Sequence, residues 1–181
     1  MKAILMLGRR VCVLFSSLGL LLVGMTAVEA QGWTKHSHTA DGFEVEFSGK
    51  VQVSPTDMDA DTRTRIIRAT NYLQDGNDYA FIVAASLQRV DVNFENGIKL
   101  SQGALKCTTI ISDTNLRFPG GRAREIRSTN CTEGQFHADA RYFTVGRWFY
   151  QVLALHPING SLASDARRFV ESFRVTGKGK R

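Results

Sequence analysis

Several signatures are missing from the 181 residues. No Gly-x-Ser-x-Gly, no His-Glu-x-x-His and no phosphate-binding Gly-rich loop occurs, so no nucleophile elbow, zinc-protease helix or nucleotide cradle is written in the chain. Cysteine is scarce, with three in all and no Cys-x-x-Cys, which leaves a thioredoxin-like redox role unsupported. There is no internal repeat and no long low-complexity segment. A strong excess of one charge is also lacking once the ends are set aside. The first thirty residues take three of the 23 basic and one of the 17 acidic side chains, leaving 20 against 16. Three of the remaining basic groups sit in the tail, at Lys178, Lys180 and Arg181. The body is near neutral, so the high isoelectric point does not argue for nucleic acid.

What is present begins with a leader. Lys2, Arg9 and Arg10 are followed by the apolar run Val11 to Val28, and Val28-Glu29-Ala30 places small residues just before Gln31. This is the plan of a secretory signal, with cleavage after Ala30. Gly19, Gly24 and two serines weaken the run as a permanent membrane anchor. Residues 1–30 are therefore expected to be a cleaved signal peptide, with no membrane span left after cleavage. The protein is expected to be exported, periplasmic or extracellular. Residues 31–176 make one α+β domain, and 177–181 a basic flexible tail. Cys12 leaves with the leader, so Cys107 and Cys131 remain. In an oxidising compartment the pair is expected to form a disulfide, with two buried free thiols as the alternative.

The polar segment from Gln31 to Asp41 leads in, with Trp33 as its anchor on the body. Phe43, Val45 and Phe47 alternate with Glu44 and Glu46, which is a half-buried strand. A short strand at Val51 and Val53 and a loop from Ser54 to Asp61 follow. Arg63 to Leu73 reads as a strand, Asp75-Gly76-Asn77-Asp78 as a hairpin turn, and Tyr79 to Leu87 as a central strand apolar on both sides. Phe94 to Thr108 is a helix candidate weakened by Gly97 and Gly103. After the break at Pro119-Gly120-Gly121, three strands are predicted over 122–129, 135–144 and 147–155. Trp148, Phe149 and Tyr150 alternate between the faces of the last one, which reads as core packing and not as a nucleic-acid stacking platform. Leu162, Ala166, Phe169, Val170 and Phe173 form one apolar stripe of a closing helix, with Ser161 as its expected N-cap. Together these predict an α+β domain: a mainly antiparallel sheet of about six strands with helices on both faces.

Candidate site residues fall into two groups. His36 and His38 point the same way on an extended segment and could contribute metal ligands, but nothing nearby completes a coordination sphere. The alternative is exposed histidines in a mobile leading segment. On the sheet, His137, Asp139 and Arg141 share one face of their strand, and Arg122 and Arg124 share a face of the preceding one, with Arg127 opposite. Some of these arginines are expected beside the His–Asp–Arg row, where guanidinium groups on a rigid sheet would suit a carboxylate, a phosphate or an acidic partner. The plainer alternative is a charged, solvated sheet edge.

The opening Trp33 … Asp41-Gly42-Phe43-Glu44-Val45-Glu46-Phe47-Ser48-Gly49-Lys50 is similar to the start of many small exported bacterial proteins. So is the ending Val145-Gly146-Arg147-Trp148-Phe149-Tyr150-Gln151-Val152 … Ala166-Arg167-Arg168-Phe169-Val170-Glu171-Ser172-Phe173. Both resemble the PsbP-like α/β/α sandwich superfamily, over most of residues 33–175. The matching positions are structural, so the resemblance implies a fold more than a site. It further implies an accessory or binding protein with no catalytic centre. Residues specific to the extrinsic photosystem II subunit that gives this superfamily its name, or to the small Ran-binding import factor that shares it, do not carry over. The leading expectation is an exported binding protein without cofactor, taking an envelope protein or an anionic ligand on one sheet surface. A hydrolytic enzyme acting on an envelope component and a metal-binding protein using His36 and His38 are the alternatives.

Overall fold

The structure is a computed structural model and describes residues 32–176. The predicted signal peptide of residues 1–30 and the tail of residues 177–181 lie outside the described residues. Its strongest local signals become hairpins. β4 (Ile66–Asp75) turns at Gly76, whose N–H donates to the Tyr79 carbonyl at 2.9 Å, and returns as β5 (Ala80–Gln88). β7 (Arg122–Cys131), β8 (Phe136–Val145) and β9 (Trp148–Pro157) follow one another as a meander. At the entry to β7, a Cβ on Gly121 would lie 1.7 Å from the Thr144 carbonyl oxygen, so only glycine lets the chain pass there. With β3 (Gln52–Pro55) and β6 (Thr109–Leu116) these strands form one seven-stranded antiparallel sheet in the order β3-β4-β5-β9-β8-β7-β6. β5 and β9 lie side by side within it, with Val83 opposite Val152 and both side chains wholly buried. That position explains why both strands are apolar on both faces.

Each face has its own cover. On one side, β1 (Thr34–His38), β2 (Phe43–Phe47) and β10 (Arg174–Val175) make a small antiparallel sheet beside helix α3 (Ala163–Ser172). Phe43, Phe47, Phe169 and Phe173 pack from this layer onto Phe81, Val83, Tyr150 and Val152 of the main sheet. Trp33 stacks on Phe81 at 6.0 Å and under the Arg168 guanidinium at 4.7 Å, the anchoring its position suggests. A buried Asp41 ties the layer down: it accepts from the Tyr72 hydroxyl at 2.5 Å, pairs with Arg68, and its backbone carbonyl accepts from the Tyr150 hydroxyl at 2.9 Å. On the other side α2 (Phe94–Leu105) lays Phe94, Ile98 and Leu105 against Ile126, Ala138, Ala140, Tyr142 and Leu153. The result is the predicted α+β sandwich with helices on both faces.

Several details differ from the expectation, each for a local reason. The main sheet has a seventh strand because residues 109–116 pair along its edge, where mostly exposed side chains leave no apolar period to read. The leading segment is not a mobile arm: β1 pairs along β2, with His36 opposite Val45 and His38 opposite Phe43. A short helix, α1 (Ala60–Arg65), replaces the end of the predicted loop and the start of the predicted strand. The Asp59 carboxylate caps it by accepting from the Thr62 N–H at 2.7 Å, and the strand begins only at Ile66. α2 stops at Leu105, short of Thr108, because Lys106 takes a left-handed conformation (φ 50°). α3 begins after Leu162, which occupies the N-cap without a side-chain bond, so Ser161 is not the cap. Cys107 and Cys131 are joined in a disulfide that clamps the α2–β6 link to the end of β7.

Candidate functional site

The row His137, Asp139 and Arg141 does share one face of β8, the face covered by α3. Its cross-strand partners are set by register: Arg127 lies opposite Asp139, Glu125 opposite Arg141, and His156 opposite His137. The predicted neighbours are therefore exchanged. Arg127 stands beside the row, while Arg122 and Arg124 emerge on the other face. There Arg122 pairs with Glu95 and lies 4.6 Å over the Phe94 ring. Arg124 bonds Glu95 at 2.7 Å and holds both Asp113 carboxylate oxygens at 2.5 Å. The double hydrogen bond from Arg124 keeps the Asp113 carboxyl below its ordinary range against a smaller opposing effect of burial.

On the α3 face the row becomes a ladder of paired charges. The Arg127 Nε donates to buried Asp139 at 2.8 Å, and the His156 Nε2 lies 3.7 Å from the other Asp139 oxygen. Burial alone would raise the Asp139 carboxyl, but the His156 and Arg127 contacts outweigh it and hold it below its usual value. Further along, the Glu125 carboxylate accepts from Arg141 Nε at 2.6 Å and from Arg167 of α3 at 2.8 Å. Here too burial pushes upward, and the two guanidinium groups win and pull the Glu125 carboxyl down. Arg141 also reaches Glu171 at 3.5 Å and the Val170 carbonyl at 3.5 Å. The ladder thus bolts α3 to the sheet. It is not arranged as a hydrolytic triad: His156 turns Nε2 to Asp139, and its other ring nitrogen, Nδ1, lies 3.3 Å from the Pro157 carbonyl and meets no hydroxyl among the described residues. His137 packs its ring 5.4 Å from that of His156 and leaves Nδ1 buried without a partner.

Arg141 touches something more. Past its end of the ladder lies a cavity of about 230 Å³. Buried Phe143 and Phe173 floor it, with rings 5.0 Å apart, and half-buried Phe118 walls it, 5.2 Å from Phe143. Arg141, Arg117 and Arg174 stand around this apolar lining, and no Asp or Glu lines it. Arg174 is steered by its Nη1, which donates to the Phe173 carbonyl at 2.7 Å and to the Glu171 carbonyl. Its other nitrogens, and the whole Arg117 guanidinium, make no hydrogen bond or ion pair among the described residues. Sequence reasoning found Arg141 and missed the other two. Arg117 follows an edge strand and Arg174 opens the two-residue strand β10, so neither belongs to a pattern long enough to have marked it.

The two N-terminal histidines pack against aromatic residues of the core that the small sheet shares with the main one. His36 meets the Phe47 ring edge-on at 5.4 Å, and His38 lies 4.1 Å from Tyr72 and 4.9 Å from Phe43. Desolvation, helped by the neighbouring His36 and opposed by Asp41, lowers the His38 pKa. Among the described residues no group of three His, Cys, Asp or Glu side chains comes together as a metal site. Among those residues, too, no helix is long and apolar enough to cross a membrane.

No family model matches the chain, and no curated protein matches it. A solved structure does. The solution structure of cyanobacterial PsbP (CyanoP) from Synechocystis sp. PCC 6803 superimposes with a TM-score of 0.52, covering 85% of this chain and 98% of that one at 13% identity. The fold is PsbP-like. At that identity the likeness carries the layered architecture and no residue of a site.

Proposed function

We propose that this chain is an exported periplasmic or envelope protein, without a catalytic centre, that binds an anionic ligand at the cavity beside Arg141. The observation that carries the reading is the lining itself. Three arginines and no carboxylate line a concave site. Arg141 is paired with Glu125 behind it, whereas Arg117 and Arg174 have no ion pair among the described residues, unlike Arg122, Arg124 and Arg127, each engaged by a carboxylate elsewhere. Arginine forks on a rigid frame suit carboxylate and phosphate groups. The signal-like leader and the Cys107–Cys131 bridge support an oxidising compartment. The test is a titration of the purified, isotope-labelled protein with acetate, phosphate and a neutral amide, followed by NMR. Both anions should move backbone resonances around Arg117, Phe143 and Arg174, and the amide should not. Shifts spread evenly over the basic surface would overturn the site, and recovery of native protein that still begins at Met1 and stays in the cytosolic fraction would overturn export.

A further inference from the structure

Resting on that reading, we infer that the cavity takes a small apolar monocarboxylate: a carboxylate head on the arginines and a short alkyl or phenyl body on the phenylalanines. Three features narrow the chemistry. The first is the division of the lining. Arg117 and Arg174 supply free donors on the rim, whereas Phe143 and Phe173 lie beneath, with Leu116 and Phe118 at the side. A bare inorganic anion would use the rim and leave the aromatic floor without a partner. A neutral apolar molecule would fill the floor and leave two guanidinium groups uncompensated.

The second feature is charge. Arg141 is already balanced by Glu125 at 2.6 Å and Glu171 at 3.5 Å, and it contributes little further pull. The open donors belong to Arg117 and Arg174, and the fork of a guanidinium group matches a planar carboxylate. The third is size. A volume of about 230 Å³ holds roughly eight non-hydrogen atoms at ~30 Å³ each. Three atoms belong to the carboxyl group, which leaves about five for the body. Hexanoate and benzoate are of this size; a long-chain lipid is not.

The experiment is calorimetry on the purified protein with acetate, butanoate, hexanoate, octanoate, benzoate, hexanamide and phosphate. From butanoate to hexanoate the affinity should rise about fourfold per added methylene, the equivalent of about 0.8 kcal/mol per buried CH2. The gain should level off by octanoate, when the cavity is full. Benzoate should match hexanoate, and hexanamide should bind at least about tenfold more weakly because it cannot give the guanidinium groups a charge-assisted bond. Arg117→Gln and Arg174→Gln change exposed side chains and should leave the melting temperature in place while lowering hexanoate affinity by about tenfold. If phosphate and acetate bind as tightly as hexanoate, the anion reading stands and this inference fails. If no anion binds, or hexanamide binds as well as hexanoate, both fail.

Discussion

Replacing Glu125 by Gln tests whether the charge ladder fastens α3 to the sheet. The Glu125 side chain is 12% exposed and that of Arg141 14%, so this pair is largely out of water. Removing one member of a buried pair leaves the other charge uncompensated, at a cost of about 3–5 kcal/mol. Two structural facts reduce that figure. Arg167 is 40% exposed, so solvent screens its loss, and Glu171 remains 3.5 Å from Arg141. The expected loss for Glu125→Gln is therefore about 2–3 kcal/mol at pH 7. The pH profile carries the sharper test. Arg167 and Arg141 outweigh burial and hold the folded-state carboxyl below its ordinary 4.5, so its contribution is complete above that value and is lost as pH falls through the folded-state pKa. Protonated Glu125 resembles glutamine. The gap between wild type and variant should thus be widest from pH 5 upward and should close toward pH 3. Urea unfolding followed by circular dichroism at pH 7, 5 and 3 measures it directly. A loss below about 0.5 kcal/mol at pH 7, or a gap that is unchanged at pH 3, would refute the ladder as a stabilising device.

Two further outcomes follow from the core and the bridge. Phe169 is wholly buried, stacked on Phe81 at 4.9 Å and packed on Phe47 at 5.1 Å, so Phe169→Ala should cost about 3–5 kcal/mol in urea unfolding. A loss under about 1 kcal/mol would contradict this packing. The disulfide joins residues 24 apart, so Cys107→Ser with Cys131→Ser should lower stability by about 3.5 kcal/mol relative to the oxidised wild type. The native protein should also weigh two hydrogens less than its reduced form, and two freely alkylated thiols would refute the bridge.

The parts of this fold that were legible in the sequence are those whose burial is periodic. β5 and β9 announce themselves by apolar residues on both parities, and α3 by the stripe through Ala166, Phe169 and Val170. β1 and β6 hide because they are edges: backbone pairing holds them, and their outward side chains are free to be polar. α1 hides because six residues with no buried side chain have no apolar face. The site failed at a different step. Alternation tells which residues of one strand share a face, and it placed His137, Asp139 and Arg141 together correctly. It cannot tell which parity of β7 lies beside them. That is decided by the four-residue turn and by the irregularity between Ser128 and Cys131, and a shift of one residue exchanges Arg122 and Arg124 for Glu125 and Arg127.

That exchange has a consequence for recognition. A sheet that brought Arg122, Arg124 and Arg141 onto one face would present a broad cationic surface, attractive to any polyanion. The observed register instead sets each of those arginines against a carboxylate: Glu95 and Asp113 on the α2 face, Glu125 on the α3 face. The cations left open around the cavity come from outside the main sheet, Arg117 after β6 and Arg174 in β10 just past α3, and the charge ladder that holds α3 against β8 helps to keep Arg174 there. Selectivity for one small anion over a polyanionic surface is what this division favours. It also ties the site to the stability of the ladder, since loosening α3 would carry Phe173 and Arg174 away from Phe143 while leaving Arg117 where it stands.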